Sequence, residues 1–183
     1  MTLEHHPAAY DRVRAAIRDA ARTAWTNLRR EHPESFYYFG LWTTPLAHRP
    51  APTAISTEGQ ARALDDYRAR DLAVSADDLR WAENDSPYDL FGDDGFAEVE
   101  LLFDAFGNPY DRPREVNEAL FETITGALAD LDAEGFFGAG AERDTVVLNV
   151  TMPGHDEKDD LLESARALNP PSALVRYEAD RAE

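Results

Sequence analysis

Apolar residues recur at spacings of three and four along two long stretches of this chain. They alternate or bunch in only a few short ones. That ratio commits most residues to helices and leaves a small sheet for them to pack on. Over residues 8–31, Tyr10, Val13, Ile17, Ala21, Ala24, Trp25 and Leu28 fall on one helical face. Arg12, Arg14, Arg18, Arg22, Arg29 and Arg30 lie mostly off it, and Pro33 predicts the stop. Over residues 113–134, Val116, Leu120, Ile124, Leu128 and Leu131 form the second stripe, and Gly135, Gly138 and Gly140 break the chain after it.

The β-like runs are shorter. Ser35–Thr43 is dense in aromatics and reads as a strand, with Gly40 marking a bulge or a close backbone approach. Pro45, Pro50 and Pro52 make 44–52 a loop, and Thr53–Ser56 pairs back as the second arm of a hairpin. Thr57 with Gln60 predicts a capping box for a helix over 58–70. Residues 71–95 are polar and turn-rich, with Leu79-Arg80-Trp81 as a short strand and Asn84-Asp85-Ser86-Pro87 as a turn. Helical spacing returns over 95–106 through Phe96, Val99, Leu102, Phe103 and Phe106. Thr145–Thr151 reads as a buried strand and 157–168 as a helix ended by Pro170-Pro171. Ala173–Tyr177 is the expected closing edge strand. The sum is an α+β fold, a single domain over 1–183, with a small mostly antiparallel sheet packed by several amphipathic helices.

Charge constrains what such a domain touches. The chain carries 36 Asp and Glu against 18 Lys and Arg, a formal net charge of −18. Residues 1–60 hold seven Arg and six acids, so the remainder carries −19. That field repels nucleic acid and anionic lipid and attracts a basic protein. There is no Cys, which excludes disulfides, thiolate metal sites and cysteine nucleophiles. No basic stretch followed by an apolar run opens the sequence, and no segment approaches ~18 consecutive apolar residues. The expected location is the cytoplasm.

Catalytic patterns are missing. There is no Gly-x-Ser-x-Gly elbow, no Gly-x-x-x-x-Gly-Lys or Gly-x-Gly-x-x-Gly cradle, and no His-Glu-x-x-His. His155 opens the run His155-Asp156-Glu157-Lys158-Asp159-Asp160, whose oxygens could hold a divalent cation; it also suits an acidic helix N-terminus. Segment 76–100 is the most suggestive: nine acids against Arg80, interleaved with Trp81, Tyr88, Phe91 and Phe96. Aromatic anchors rimmed by acids suit a surface that holds a basic partner. The same residues also suit a core plug with a solvated rim.

Phe36-Tyr37-Tyr38-Phe39-Gly40-Leu41-Trp42-Thr43-Thr44, then Ala54-Ile55-Ser56-Thr57-Glu58, Leu79-Arg80-Trp81 and Ser86-Pro87-Tyr88 together resemble a bacterial family known only as domain of unknown function 4303. The resemblance covers most of the chain in order and implies a single domain of this length. Thr151-Met152-Pro153-Gly154-His155-Asp156 departs from the family's simpler turn. The family has no established activity; some relatives lie near toxin and immunity genes, which implies an immunity-like role. The expected function is therefore a cytoplasmic binding protein that neutralises a basic partner. Trp81, Tyr88 and Phe91 are its expected anchors, and Asp85, Asp89, Asp93 and Asp94 its cation-pairing carboxylates. No cofactor is assigned. Two other readings stay open: an enzyme with a metal-assisted acidic site near His155 and Asp156, and an interaction module without a single client.

Overall fold

A computed structural model of the chain describes residues 7–153 and 158–182. The first amphipathic stretch forms helix α1 (Pro7–Glu31), which buries Ala9, Val13, Ile17, Ala21, Ala24, Trp25 and Leu28. Strands β1 (Phe36–Trp42) and β2 (Ala51–Ser56) follow as an antiparallel pair, then helix α2 (Thr57–Ala69) and the helical turn α3 (Ala76–Leu79). Helices α4 (Ala97–Asp104) and α5 (Arg114–Ala133), strand β3 (Val147–Thr151), and helices α6 (Lys158–Leu168) and α7 (Pro171–Ala182) complete the described order.

The sheet has the order β2-β1-β3, with β3 parallel to β1. The α+β expectation holds, and the longer of the two ladders is antiparallel. Alternation along the strands divides the side chains between two faces. Phe39, Leu41, Ala54, Leu148 and Val150 join the buried stripes of α1, α4 and α5 in the main core. Tyr38, Ile55 and Val147 face the other way, against Ala165, Leu174 and Tyr177 of α6 and α7. The sheet is thus covered on both sides, which is why every residue of β2 and β3 is buried.

Four local expectations are corrected. Strand β2 starts at Ala51 and includes Pro52, a residue read as loop. The strand lies at the sheet's edge, and the Pro52 carbonyl accepts Leu90 N (2.9 Å) on the outer side. The missing N–H would point the same way, so proline costs no ladder bond there. The cap of α2 is Ser56, one residue earlier than read: its Oγ accepts Gly59 N at 2.8 Å. Gln60 reaches instead to Ala76 O (2.5 Å). Leu79-Arg80-Trp81 is no strand. Ser75 and Asp78 form a capping box that winds Ala76–Leu79 into a helical turn and turns Leu79 inward. Residues 173–177 are helical too: Pro171 is the first residue of α7, where its absent N–H is an orphan in any case.

The outer edge of β3 is closed by a side chain. The amide of Asn169 accepts from Leu148 N at 2.8 Å and donates to Leu148 O at 2.7 Å, as a neighbouring strand would. Gly40 marks a close approach, not a bulge; the register break falls between Phe36 and Tyr38. A Cβ at Gly40 would meet the Tyr38 ring and hydroxyl at 2.8 Å. That ring is buried and its hydroxyl is bonded, so it has no room to yield. Gly40→Ala is expected to lose about 1–3 kcal/mol in urea unfolding. Gly95→Ala, whose added methyl meets nothing within 4 Å, should stay within about 0.5 kcal/mol. Equal midpoints for the two variants would remove the close-approach account.

Candidate functional site

Segment 76–100 is fastened to the sheet by carboxylates that point inward. Glu83 lies in the 3₁₀ turn Glu83–Asp85 and is 8% exposed. Its carboxylate accepts the Tyr38 hydroxyl from β1 at 2.5 Å and the Thr151 hydroxyl from β3. Its carbonyl accepts the Thr53 hydroxyl from β2 at 3.3 Å. One residue therefore touches all three strands. Burying a carboxylate is costly unless hydrogen bonds replace its water, and short O–H···O⁻ bonds do so here. The polar row continues across β3, where Asn149 Nδ2 donates to the Tyr177 hydroxyl at 2.9 Å.

A second cluster holds the C-terminal half of the segment. Glu34, just before β1, accepts from Ser56 Oγ (2.5 Å), the Tyr88 hydroxyl (2.7 Å) and Arg62, whose Nη1 lies 2.8 Å from Glu34 Oε1. Burial opposes the charged form of Glu34, yet the bonds from Arg62, Ser56 and Tyr88 outweigh it and hold the carboxyl at about 2. Burial and the adjacent Glu34 push the Tyr88 hydroxyl up to about 12. Gly59 makes the cluster possible: a Cβ there would lie 2.9 Å from the Tyr88 ring.

The seven residues singled out from sequence are consequently split. Tyr88 is 3% exposed, packs on Phe36, His32 and Phe91, and is a core residue in place of the expected anchor. Phe91 is half-buried against the same core. Trp81 is half-buried in edge contacts with Tyr37 and Tyr177, and its Nε1 donates to Asp180 at 2.9 Å. Asp89 accepts Trp42 Nε1 at 3.0 Å, and burial raises its pKa. Asp93 takes both Nη atoms of Arg49 at 2.6 and 2.9 Å. Asp85 is exposed and accepts the Tyr67 hydroxyl. Asp94 alone of the seven is exposed with no hydrogen bond or ion pair recorded among the described residues.

What faces outward is a neighbouring set. Asp94, Glu98, Glu100 and Asp104 are exposed along the same stretch of chain as Leu101, which is 71% exposed. Leu101 lies two residues from each of the buried Val99 and Phe103, and so on the opposite side of α4. That offset was legible in sequence, but the helical stripe over 95–106 drew attention only to its buried side. Arg49 is paired with Asp93 at 2.6 Å and lies 4.0 Å from the Glu100 carboxylate, so Glu100 is partly neutralised. This surface can offer the carboxylates of Asp94, Glu98 and Asp104, which have no ion pair among the described residues, around an apolar side chain. A separate groove of about 550 Å³ runs between α1 and α5, with Asp11, Glu115 and Glu122 at its lip and Val116 and Ala119 along its floor. Glu83 lines neither this groove nor the smaller cleft beside Arg112.

Among the described residues no group of three or more His, Asp or Glu could hold a metal ion, and no helix is long and apolar enough to cross a membrane. His155 and Asp156 lie outside the described residues. A family described as Domain of unknown function (DUF4303) matches residues 17–170 of the chain. No curated protein and no solved structure matches it.

Glu34 gives the site a pH signature. Its folded pKa of about 2 lies below the usual carboxylate value of 4.5. A carboxyl depressed by folding stabilises the fold above its unfolded pKa and loses that contribution as pH falls through the folded one. The window therefore runs from about pH 4.5 down to about 2. Glu34→Gln is expected to cost about 1–3 kcal/mol at pH 7. The gap between it and the unaltered protein should close across that window in urea unfolding. A gap that stays constant down to about pH 3 contradicts the assignment.

Proposed function

The chain belongs to the DUF4303 family, and we propose that it is an acidic protein-binding domain acting in the cytoplasm on a basic protein partner. Its immunity-like role is to occupy and neutralise that partner. The observation that carries this reading is the outward surface of 94–104, where Leu101 stands clear of the core among Asp94, Glu98, Glu100 and Asp104. An apolar side chain that excludes water supplies affinity, while surrounding charges supply steering and reject partners of the wrong sign. The inward aromatics and carboxylates of 81–93 support it from behind by fixing the segment to the sheet. Asp85, exposed on the turn Glu83–Asp85, adds to the chain's negative field.

The net charge of −18 gives the encounter its range. Surface charges farther apart than about 8 Å are screened at physiological salt, so the association rate should fall steeply as salt rises. A triple variant, Asp94→Asn with Glu98→Gln and Leu101→Ala, alters only exposed side chains and should keep its circular dichroism and urea midpoint. The immobilised chain is expected to retain a basic protein from a host lysate at low salt and release it at high salt. The triple variant should bind the recovered and purified partner at least about tenfold more weakly. Equal affinity for the variant, or an association rate indifferent to salt, would sink the reading.

A further inference from the structure

Arg112 is a buried cation, two of whose guanidinium nitrogens lack acceptors among the described residues. It follows a turn in which Asp111 N donates to Asn108 O at 3.0 Å and Tyr110 N to Asn108 Oδ1 at 3.1 Å. It precedes Pro113, the residue before α5. The turn and the proline fix the backbone there, and the side chain is 8% exposed. Arg112 lines a cleft of about 250 Å³ with His48, Arg49, Glu100, Phe103 and Asp104. Its Nε and Nη1 are buried and have no hydrogen-bond partner among the described residues. Burial lowers its pKa, and Asp104 and Tyr10 pull the other way through space without bonding it. Arg49 across the cleft is already bidentate to Asp93.

A buried guanidinium left without acceptors is costly, so the cleft favours whatever supplies oxygen lone pairs to it. We propose that this cleft binds a small free monocarboxylate, whose oxygens accept from Arg112 and whose carbons rest on Phe103. The volume lies below the roughly 300–1,000 Å³ of pockets for larger ligands, which limits the acid to a few carbons. Glu100 and Asp104, with the net charge of −18, weigh against a dianion. Guanidinium is the cation best matched to a planar carboxylate.

The test is a titration of the full chain with propionate at constant ionic strength, followed by ¹⁵N NMR of arginine Nε–H. The Arg112 resonance is assigned in the unaltered protein by correlating its side chain with its backbone. It should shift saturably with propionate and stay still in the matching chloride titration. Arg112→Lys should bind propionate at least about tenfold more weakly by calorimetry. If that variant fails to fold, the titration of the unaltered protein decides alone. A resonance that does not saturate overturns the proposal. So does inorganic phosphate shifting it as effectively, or a tetrapeptide with a free C-terminus binding where propionate does not.

Discussion

The Glu83 carboxylate, buried where the three strands present their hydroxyls, organises the molecule. Tyr38 and Thr151 donate to its oxygens, and Thr53 to its carbonyl. Each donor comes from a different strand, so the bonds form together only when β3 has docked beside β1 and β2. The arrangement then dictates Gly40, because Tyr38 must lie across that position to reach the carboxylate. It also dictates the cover of the sheet's second face, where Tyr177 meets Asn149 and Trp81 packs on Tyr177. A polar layer of this kind favours one register, since a slip of one residue would turn every hydroxyl to the opposite face.

The excess of acids is tolerated because the acids do two jobs. Glu34, Glu83, Asp89 and Asp93 point inward or along the surface and are bonded to hydroxyls, an indole and two arginines. Their charge is absorbed by geometry. Asp94, Glu98 and Asp104 are left to water, with Glu100 4.0 Å from Arg49, and mutual repulsion among them is weak at high dielectric. A single stretch of chain thus anchors the fold with one set of carboxylates and projects a field with the next.

The long elements were legible because their signal was redundant. Six of the seven apolar positions assigned to the first helix are buried in α1, with Tyr10 half-buried beside Ala9, and all five assigned to the second are buried in α5. Short elements carried too few residues to fix a period. Leu79-Arg80-Trp81 and Ala173–Tyr177 have strand-like composition, yet a capping box starts a helical turn that ends at Leu79, with Arg80 and Trp81 in the turn after it, and an N-terminal proline starts the helix that takes in 173–177. Membership in the family was readable from the aromatic strand and the Arg-Trp and Ser-Pro-Tyr pairs. The division of the acidic segment was not, because inward and outward carboxylates have the same letters. Only the hydroxyls of Tyr38 and Thr151, distant in sequence, tell Glu83 from Glu98. Arg112 was silent for a similar reason: nothing in its neighbours announces that no acceptor reaches it.

The sheet's two outer margins, closed by Pro52 with Leu90 on one side and by Asn169 on the other, have a consequence for life in a crowded cell. A three-stranded sheet whose outermost amides were bare would template the addition of foreign strands, the first step toward aggregation. Here one margin lacks a donor near its start, where Pro52 lies, and has its Ala54 carbonyl taken by Ser86, while the other presents a side-chain amide already engaged. Recruitment by strand addition is closed off, and encounters with other macromolecules are left to side chains on the helical surface.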